Sequence, residues 1–136
     1  MASDIVTNYV VIPIEISDPL LLFRINQRYR YGMSESELYE VTRGVWKLGG
    51  MREYAEFALA VFQGIVMEVY SIESWHPAGS TPYQTRSITD VSLDGRWEFL
   101  GRVAPDCTRN RYFGHSVADY WKKGARNPIA YVNIEK

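Results

Sequence analysis

The segment 56–72, EFALAVFQGIVMEVYSI, decides the fold of this chain. Two runs rich in valine, isoleucine and aromatic residues flank the dipeptide Gln63-Gly64. A two-residue connection that contains glycine, placed between such runs, is the strongest short-range signal for a β-hairpin. We therefore predict strands over 56–62 and 65–72. One alternative remains at their start, because EYAEFALA would also suit the end of a helix.

Two extended segments and a helix are predicted before this hairpin. The run PLLLFRI (19–25) is short and continuously apolar, which is typical of a buried strand. Residues 1–18 are interpreted as an edge strand or arm, because a proline interrupts their apolar run. Ser34 and Glu37 have the spacing of a capping box, so we expect a helix from Ser34 to about Lys47.

After the hairpin we expect a loop, a strand, a helix and a last strand. The segment 76–95 is polar and rich in Gly, Pro, Ser and Asp, the composition of an ordered functional loop or a mobile lid. RWEFLGRV (96–103) is predicted to be a strand, SVADYWKK (116–123) a helix and PIAYVNI (128–134) a strand. The pattern indicates one α+β domain over 1–136, built on a strongly curved, barrel-like sheet.

Charge is spread unevenly along the 136 residues, although the formal net charge is only −1. Residues 1–74 hold ten acidic and six basic side chains (−4), whereas residues 75–136 hold six acidic and nine basic ones (+3). Such a balance argues against a surface that coats DNA and favours a localised anion site.

The sequence also bears on compartment, metals and membranes. Cys107 is the only cysteine, which excludes an internal disulfide and favours a reducing compartment. No run approaches the roughly 20 apolar residues that span a bilayer, and the N-terminus lacks a signal-peptide pattern. His76 has no second histidine or acidic pair at ligand spacing. We expect a cytoplasmic protein with no metal, no cofactor and no membrane association.

The strand at 96–103 is predicted to present two different faces. Trp97 and Phe99 would enter the core or line a pocket, whereas Glu98 would join two arginines in a solvated row of ion pairs. Gly101, in mid-strand, is typical of a bulge or of a place where another backbone or a ligand comes close.

Several motifs resemble those of a known group of small bacterial proteins and appended domains. The motifs are RGVWKLG (43–49), the segment 56–81, RWEFLGRVAP (96–105), YFGHSV (112–117) and KKGARNPIAYVN (122–133). The layout of that group is similar to the PUA-like superfamily, which includes the EVE, YTH and ASCH domains. The resemblance implies a pseudo-barrel whose concave side receives a nucleotide or a modified base between aromatic side chains. The group carries lysine where this chain has His115, a change that removes a fixed charge.

Aromatic residues and one arginine are the first candidates for ligand contacts. Arg43 shares a predicted helix stripe with Trp46 and would present a flat cationic surface to a base or phosphate. Trp75 and Tyr83 flank the turn PAGSTP at the mouth of the predicted barrel, and Trp97 lies on the pocket face of its strand. Each side chain would equally suit a role in the core.

A second set of candidates lies in the basic C-terminal part. Gly114, His115 and Ser116 precede the helix predicted at 116–123, whose free N–H groups would attract a phosphate. Arg126 adds positive charge, and Asn127 would read a base edge or simply turn the chain.

The function that these patterns favour is binding of a nucleotide, or of nucleic acid with a modified or flipped base, without chemistry. Two alternatives stay open. An ASCH-like hydrolase of a modified nucleoside would use Glu68 with Thr42 or Lys47 as catalytic residues. A protein-interaction or assembly module, associated with phage or defence, would use the aromatic residues as the face of a homodimer.

Overall fold

The computed structural model describes residues 11–134, which form an α+β fold with a curled six-stranded mixed sheet, a half-barrel. The helices are α1 (Glu35–Arg43), α2 (Ile88–Val91) and α3 (Asp106–Tyr112). The strands are β1 (Leu20–Arg24), β2 (Gly44–Trp46), β3 (Phe57–Phe62), β4 (Ile65–Pro77), β5 (Trp97–Val103) and β6 (Ile129–Val132). Two short 3-10 helices cover Gly50–Tyr54 and Ala118–Tyr120. The α+β prediction is confirmed; the first ten residues of the predicted arm lie outside the described range.

The strand order is β2-β5-β4-β3-β1-β6. Only β1 and β3 run parallel, and the other neighbours are antiparallel. The hairpin of β3 and β4 therefore lies at the centre of the sheet.

The hairpin prediction is confirmed, and its turn explains the register. Gln63 (φ 50) and Gly64 (φ 82) both have left-handed backbones, as a two-residue type I′ turn requires. The backbone N–H of Gln63 donates to Asn26 Oδ1 at 2.9 Å, which ties the turn to the segment after β1. Phe57 begins a strand and not a helix, so the alternative for EYAEFALA is wrong, and β4 continues to Pro77.

Both faces of β1 are buried, which explains why its first four residues, 20–23, are all apolar. Leu20 and Leu22 join a core on one face with Tyr112 of α3, whereas Leu21 and Phe23 join a core on the other face. The second core includes residues of α1. A strand covered on both sides loses the alternation of polar and apolar residues.

Helix α1 begins as predicted and ends earlier. The capping box of Ser34 and Glu37 is present. The helix stops at Arg43 and not near Lys47, because Gly44 turns extended (φ −163, ψ 164) and pairs with Glu98 as the start of β2. At nine residues, α1 is the longest of the described helices, and none of these could cross a bilayer.

The predicted helix at 116–123 is wrong. Only Ala118–Tyr120 form a 3-10 turn there, because Ser116 bridges to Pro13 and Ile65 in a strand-like conformation. The sequence analysis instead missed α3. Pro105 before that helix and Asp106 in its first turn were available as signals of a helix start.

Gly101 behaves as predicted. A Cβ at this position would lie 2.0 Å from the carbonyl oxygen of Ser71 on β4. The register between β4 and β5 shifts beside it, between Ile72 and Ser74. Here the two backbones approach too closely for any side chain.

Candidate anion-binding cleft

A cleft of about 500 Å³ opens where β1, β2 and β6 meet the connection between β4 and β5. The arginine side chains that line it are those of Arg24, Arg28, Arg86, Arg96 and Arg126. Asp90 is the only acidic residue among the described lining residues. Five positive charges and one negative charge leave a formal balance of +4. We call this site the arginine cleft.

The pairing of the strands explains why arginines distant in sequence meet here. Phe23 near the end of β1 pairs with Ile129 at the start of β6, which brings Arg24 close to the turn that carries Arg126. Trp46 of β2 pairs with Trp97 of β5, which brings the cleft wall close to Arg96.

Three of the guanidinium groups are held by backbone carbonyls. Arg86 Nη1 donates to the carbonyls of Glu40 (3.0 Å) and Gly44 (2.8 Å), at the end of α1. Arg24 Nη1 donates to the carbonyl of Ala125 at 2.7 Å, and Arg96 Nη1 to that of Val45 at 3.3 Å. These bonds orient the arginines but leave their charges uncompensated, because a carbonyl is neutral.

The cleft therefore carries an excess of positive charge. Within residues 11–134 none of the five arginines has a carboxylate within ion-pair distance. Burial lowers the pKa of Arg86, and the charge of Arg28 lowers it further. The Nε of Arg86 is buried without a hydrogen-bond partner among the described atoms. The cleft favours an anion.

One aromatic ring lines the cleft wall. The indole of Trp46 stacks on Phe23, with ring centroids 4.7 Å apart and planes 20° apart. Its Nε1 donates to the carbonyl of Thr42 at 2.7 Å. Contacts on one face and one edge fix the ring, so it is a rigid surface for a planar group.

Comparison of the chain with protein-family models, curated proteins and solved structures gives no significant match. The likeness to the PUA-like superfamily therefore stays a prediction.

A strap, residues 77–86, crosses between α1 and β5 and carries Arg86 into the cleft. The buried carboxylate of Glu40 accepts from the N–H of Gln84 (2.8 Å) and from the N–H and hydroxyl of Thr85 (2.7 and 2.6 Å). Burial alone would raise the pKa of Glu40, but these donors outweigh it and hold the pKa below its ordinary value. The sequence analysis left an ordered loop or a mobile lid open for 76–95. These hydrogen bonds are those of an ordered loop over residues 77–86.

Glu98 holds the other end of the strap, and its predicted place in a solvated ion-pair row is wrong. The side chain is fully buried and accepts from the N–H groups of Gly79 (2.7 Å) and Thr81 (2.8 Å) and from the Thr81 hydroxyl. A carboxylate that is buried this completely needs partners inside the protein.

Arg43 is that charged partner. Its Nη1 lies 3.8 Å from Glu98 Oε2, and Nη2 donates to the carbonyl of Pro82 at 2.7 Å. Because Arg43 is only 1% exposed, it holds the strap from inside the protein. Arg43 was predicted to contact a ligand, but in the structure it has a structural role.

Tyr83 belongs to the same buried network. Its ring lies under the Arg43 guanidinium, 3.7 Å from Cζ to the ring centroid, and its hydroxyl donates to Glu98 at 3.0 Å. Burial raises the pKa of Tyr83, which keeps the hydroxyl protonated as a donor.

The other two predicted stacking residues lie away from the cleft lining. Trp75 is half-buried and packs edge-on against Phe99, with centroids 5.5 Å apart. The Trp97 ring is covered by Arg52, whose Cζ lies 3.4 Å from the ring centroid. Of the four predicted stacking residues, Trp46 alone lines the arginine cleft.

The backbone N–H groups of the predicted helix-start site at Gly114–Ser116 are all occupied. The N–H of Gly114 donates to Val66 (2.9 Å), that of His115 to Tyr112 (3.1 Å) and that of Ser116 to Ile12 (3.2 Å). With these N–H groups occupied and α-helix absent, the turn has no basis for holding a phosphate. His115 Nδ1 lies 3.1 Å from the carbonyl oxygen of Ile12.

The last two predicted contacts have different outcomes. Arg126 is exposed and lines the arginine cleft. Asn127 Oδ1 accepts from the N–H of Ile129 at 3.0 Å, so this side chain turns the chain into β6. The cleft thus brings together Trp46 and Arg126 of the predicted contacts.

The alternative catalytic residues are not gathered in one cavity. Glu68 pairs with Arg109 of α3 (Oε1 to Nε, 2.7 Å) and lines a small hollow of about 240 Å³ that includes neither Thr42 nor Lys47. The hydroxyl of Thr42 donates to the carbonyl of Leu38 at 2.7 Å, and Lys47 is exposed.

Four cleft arginines escaped the sequence analysis: Arg24, Arg28, Arg86 and Arg96. A signal was present, because Arg24 lies at the end of one predicted strand and Arg96 at the start of another. Only the strand order shows that these ends converge.

Proposed function

We propose that this protein binds a nucleotide, or nucleic acid that presents a flipped or modified base, in the arginine cleft. The phosphates contact the arginines, and the base packs against Trp46. The observation that carries this proposal is the convergence of five arginines on one cleft, with Asp90 as the only acidic lining residue described.

The energetics support an anionic ligand. Like charges repel one another, so five guanidinium groups around one cleft, with Asp90 as the only carboxylate among the described lining residues, favour an anionic ligand. A phosphate removes that repulsion and matches the fork of N–H donors on each arginine. The carbonyls that orient Arg86 and Arg24 reduce the entropy that binding would otherwise cost.

The proposal also takes the half-barrel to be a PUA-like fold. Its support is the curled mixed sheet with a cleft that holds a tryptophan beside basic residues. A cytoplasmic location and a homodimer stay predictions.

The test is calorimetric titration with mononucleotides and short oligonucleotides at low salt. Arg28 and Arg126 are exposed, and among the described residues their side chains make no hydrogen bond, so Arg28→Gln/Arg126→Gln should fold normally. We expect the dissociation constant to rise at least tenfold in this variant, which corresponds to about 1.4 kcal/mol. Raising the salt should weaken wild-type binding.

The matched control is Arg102→Gln, an exposed arginine of β5 that pairs with Glu73 and lies outside the cleft. Its affinity should equal that of the wild type. Absence of saturable binding by the wild type, or an equal loss in the control, would disprove the proposal.

A further inference from the structure

We infer that the arginine cleft selects a single nucleotide with three phosphates, a nucleoside triphosphate, over a nucleic acid strand. This inference rests on the proposed function and names its ligand class. It depends on three properties of the cleft: its charge, its one aromatic ring and the arrangement of its arginines.

The charge of the cleft matches a triphosphate. The lining carries five arginines and one aspartate, a balance of +4. A triphosphate carries about four negative charges at neutral pH, since its terminal phosphate contributes about −1.5 to −2 and each of the others about −1. A monophosphate would leave about half of this net charge unpaired. A strand would need about four nucleotides to supply the same charge.

The number of aromatic rings that line the cleft favours a ligand with a single base. Proteins that bind single strands stack successive bases on successive aromatic side chains. Trp46 is the one aromatic residue among the described lining residues. A single-stranded nucleic acid of four nucleotides could stack one base on Trp46, and its other three bases would have no aromatic ring to stack on.

The arrangement of the arginines favours a compact ligand. Arg24 ends β1 and Arg28 lies in the turn after it, Arg86 and Arg96 come from the connection before β5, and Arg126 comes from the turn before β6. Three separate segments thus supply charge around one cavity. Its volume of about 500 Å³ lies within the roughly 300–1,000 Å³ of small-molecule sites.

The experiment compares probes that separate charge from base. Binding of ATP, GTP, their monophosphates, inorganic tripolyphosphate and a ten-nucleotide single strand is measured at one low salt concentration without divalent cations. We expect the triphosphates to bind at least tenfold more tightly than the monophosphates and than the strand. Tripolyphosphate should bind several-fold more weakly than at least one nucleoside triphosphate.

The variant Trp46→Leu tests the role of the ring. It should bind the nucleoside triphosphate no better than tripolyphosphate, while its affinity for tripolyphosphate stays within twofold of the wild type. Retained tripolyphosphate binding shows that the cleft remains folded. If that binding is lost, the same comparison is made with Trp46→Phe, which keeps a ring against Phe23 and should retain part of the preference for the nucleoside.

The outcomes separate this inference from the proposed function. Tighter binding of the strand than of every triphosphate would overturn the inference and leave the proposed function standing. Equal affinity for tripolyphosphate and all nucleoside triphosphates would also overturn it, because the base would then contribute nothing. Failure of every probe to bind would reject the proposed function itself.

Discussion

Replacing Glu98 by glutamine should be among the most damaging conservative changes in this chain. Glu98 Oε1 accepts from the N–H of Gly79 and the hydroxyl of Tyr83, and Oε2 accepts from the N–H and hydroxyl of Thr81. An amide has one NH₂ group in place of one oxygen. Whichever way it is turned, its NH₂ faces a backbone N–H that cannot rotate away, and that donor loses its acceptor.

The expected cost has two physical sources. A buried donor left without a partner costs about 1–3 kcal/mol. Arg43, whose side chain is 2% exposed, also loses the carboxylate that compensates its charge. Breaking a buried ion pair typically costs about 3–5 kcal/mol in total. We therefore expect Glu98→Gln to lower the free energy of unfolding by about 3–5 kcal/mol.

Urea unfolding followed by circular dichroism measures this loss. With an m-value of about 2 kcal/mol/M, the midpoint should fall by about 2 M. The control is Glu73→Gln, which breaks the Glu73–Arg102 pair between β4 and β5, where the side chains are 45% and 76% exposed. That change should cost less than about 1 kcal/mol. Equal, small losses in both variants would refute the account of the strap.

Two more predictions concern the backbone and the pH dependence. Gly101→Ala would place a Cβ 2.0 Å from the Ser71 carbonyl oxygen, so thermal unfolding should show a loss of about 3 kcal/mol or more, whereas Gly49→Ala meets nothing within 4 Å and should change stability little. An equal effect of the two changes would show that β4 and β5 are further apart. Glu40 has a lowered pKa in the folded protein, so its stabilisation is complete above its ordinary value of 4.5 and is lost as the pH falls through the folded value. The stability difference between the wild type and Glu40→Gln should therefore shrink from pH 7 to pH 3, and a constant difference would contradict the role of the carboxylate.

The parts of the fold that depend on local chemistry could be predicted from the sequence. The turn at Gln63-Gly64 and the capping box at Ser34 are decided by a few neighbouring residues, and both are confirmed. The end of α1 and the conformation of Ser116 depend on pairing with residues distant in the chain. Local spacing contains no information about that pairing, and both predictions were wrong.

The candidate site was harder to predict because a sequence does not show which of its charged side chains are buried and paired inside the protein. Arg43 and Glu98 look like surface residues in the sequence, yet both are buried and compensate each other. Arg24 and Arg126 are 102 residues apart and share the cleft only because β1 pairs with β6. The aromatic and basic composition predicted an anion site, and the sheet order brings the arginines together in one cleft.

The most direct measurement of ligand binding in the arginine cleft is the ¹H–¹⁵N spectrum of the labelled protein during titration with a nucleoside triphosphate at low salt. We predict saturable shifts at the amides of 24–28, 86–96 and 124–127 and at the indole N–H of Trp46. The hollow beside Glu68 should show none. Shifts clustered at Glu68 and Tyr70, or spectra that do not change, would contradict the account.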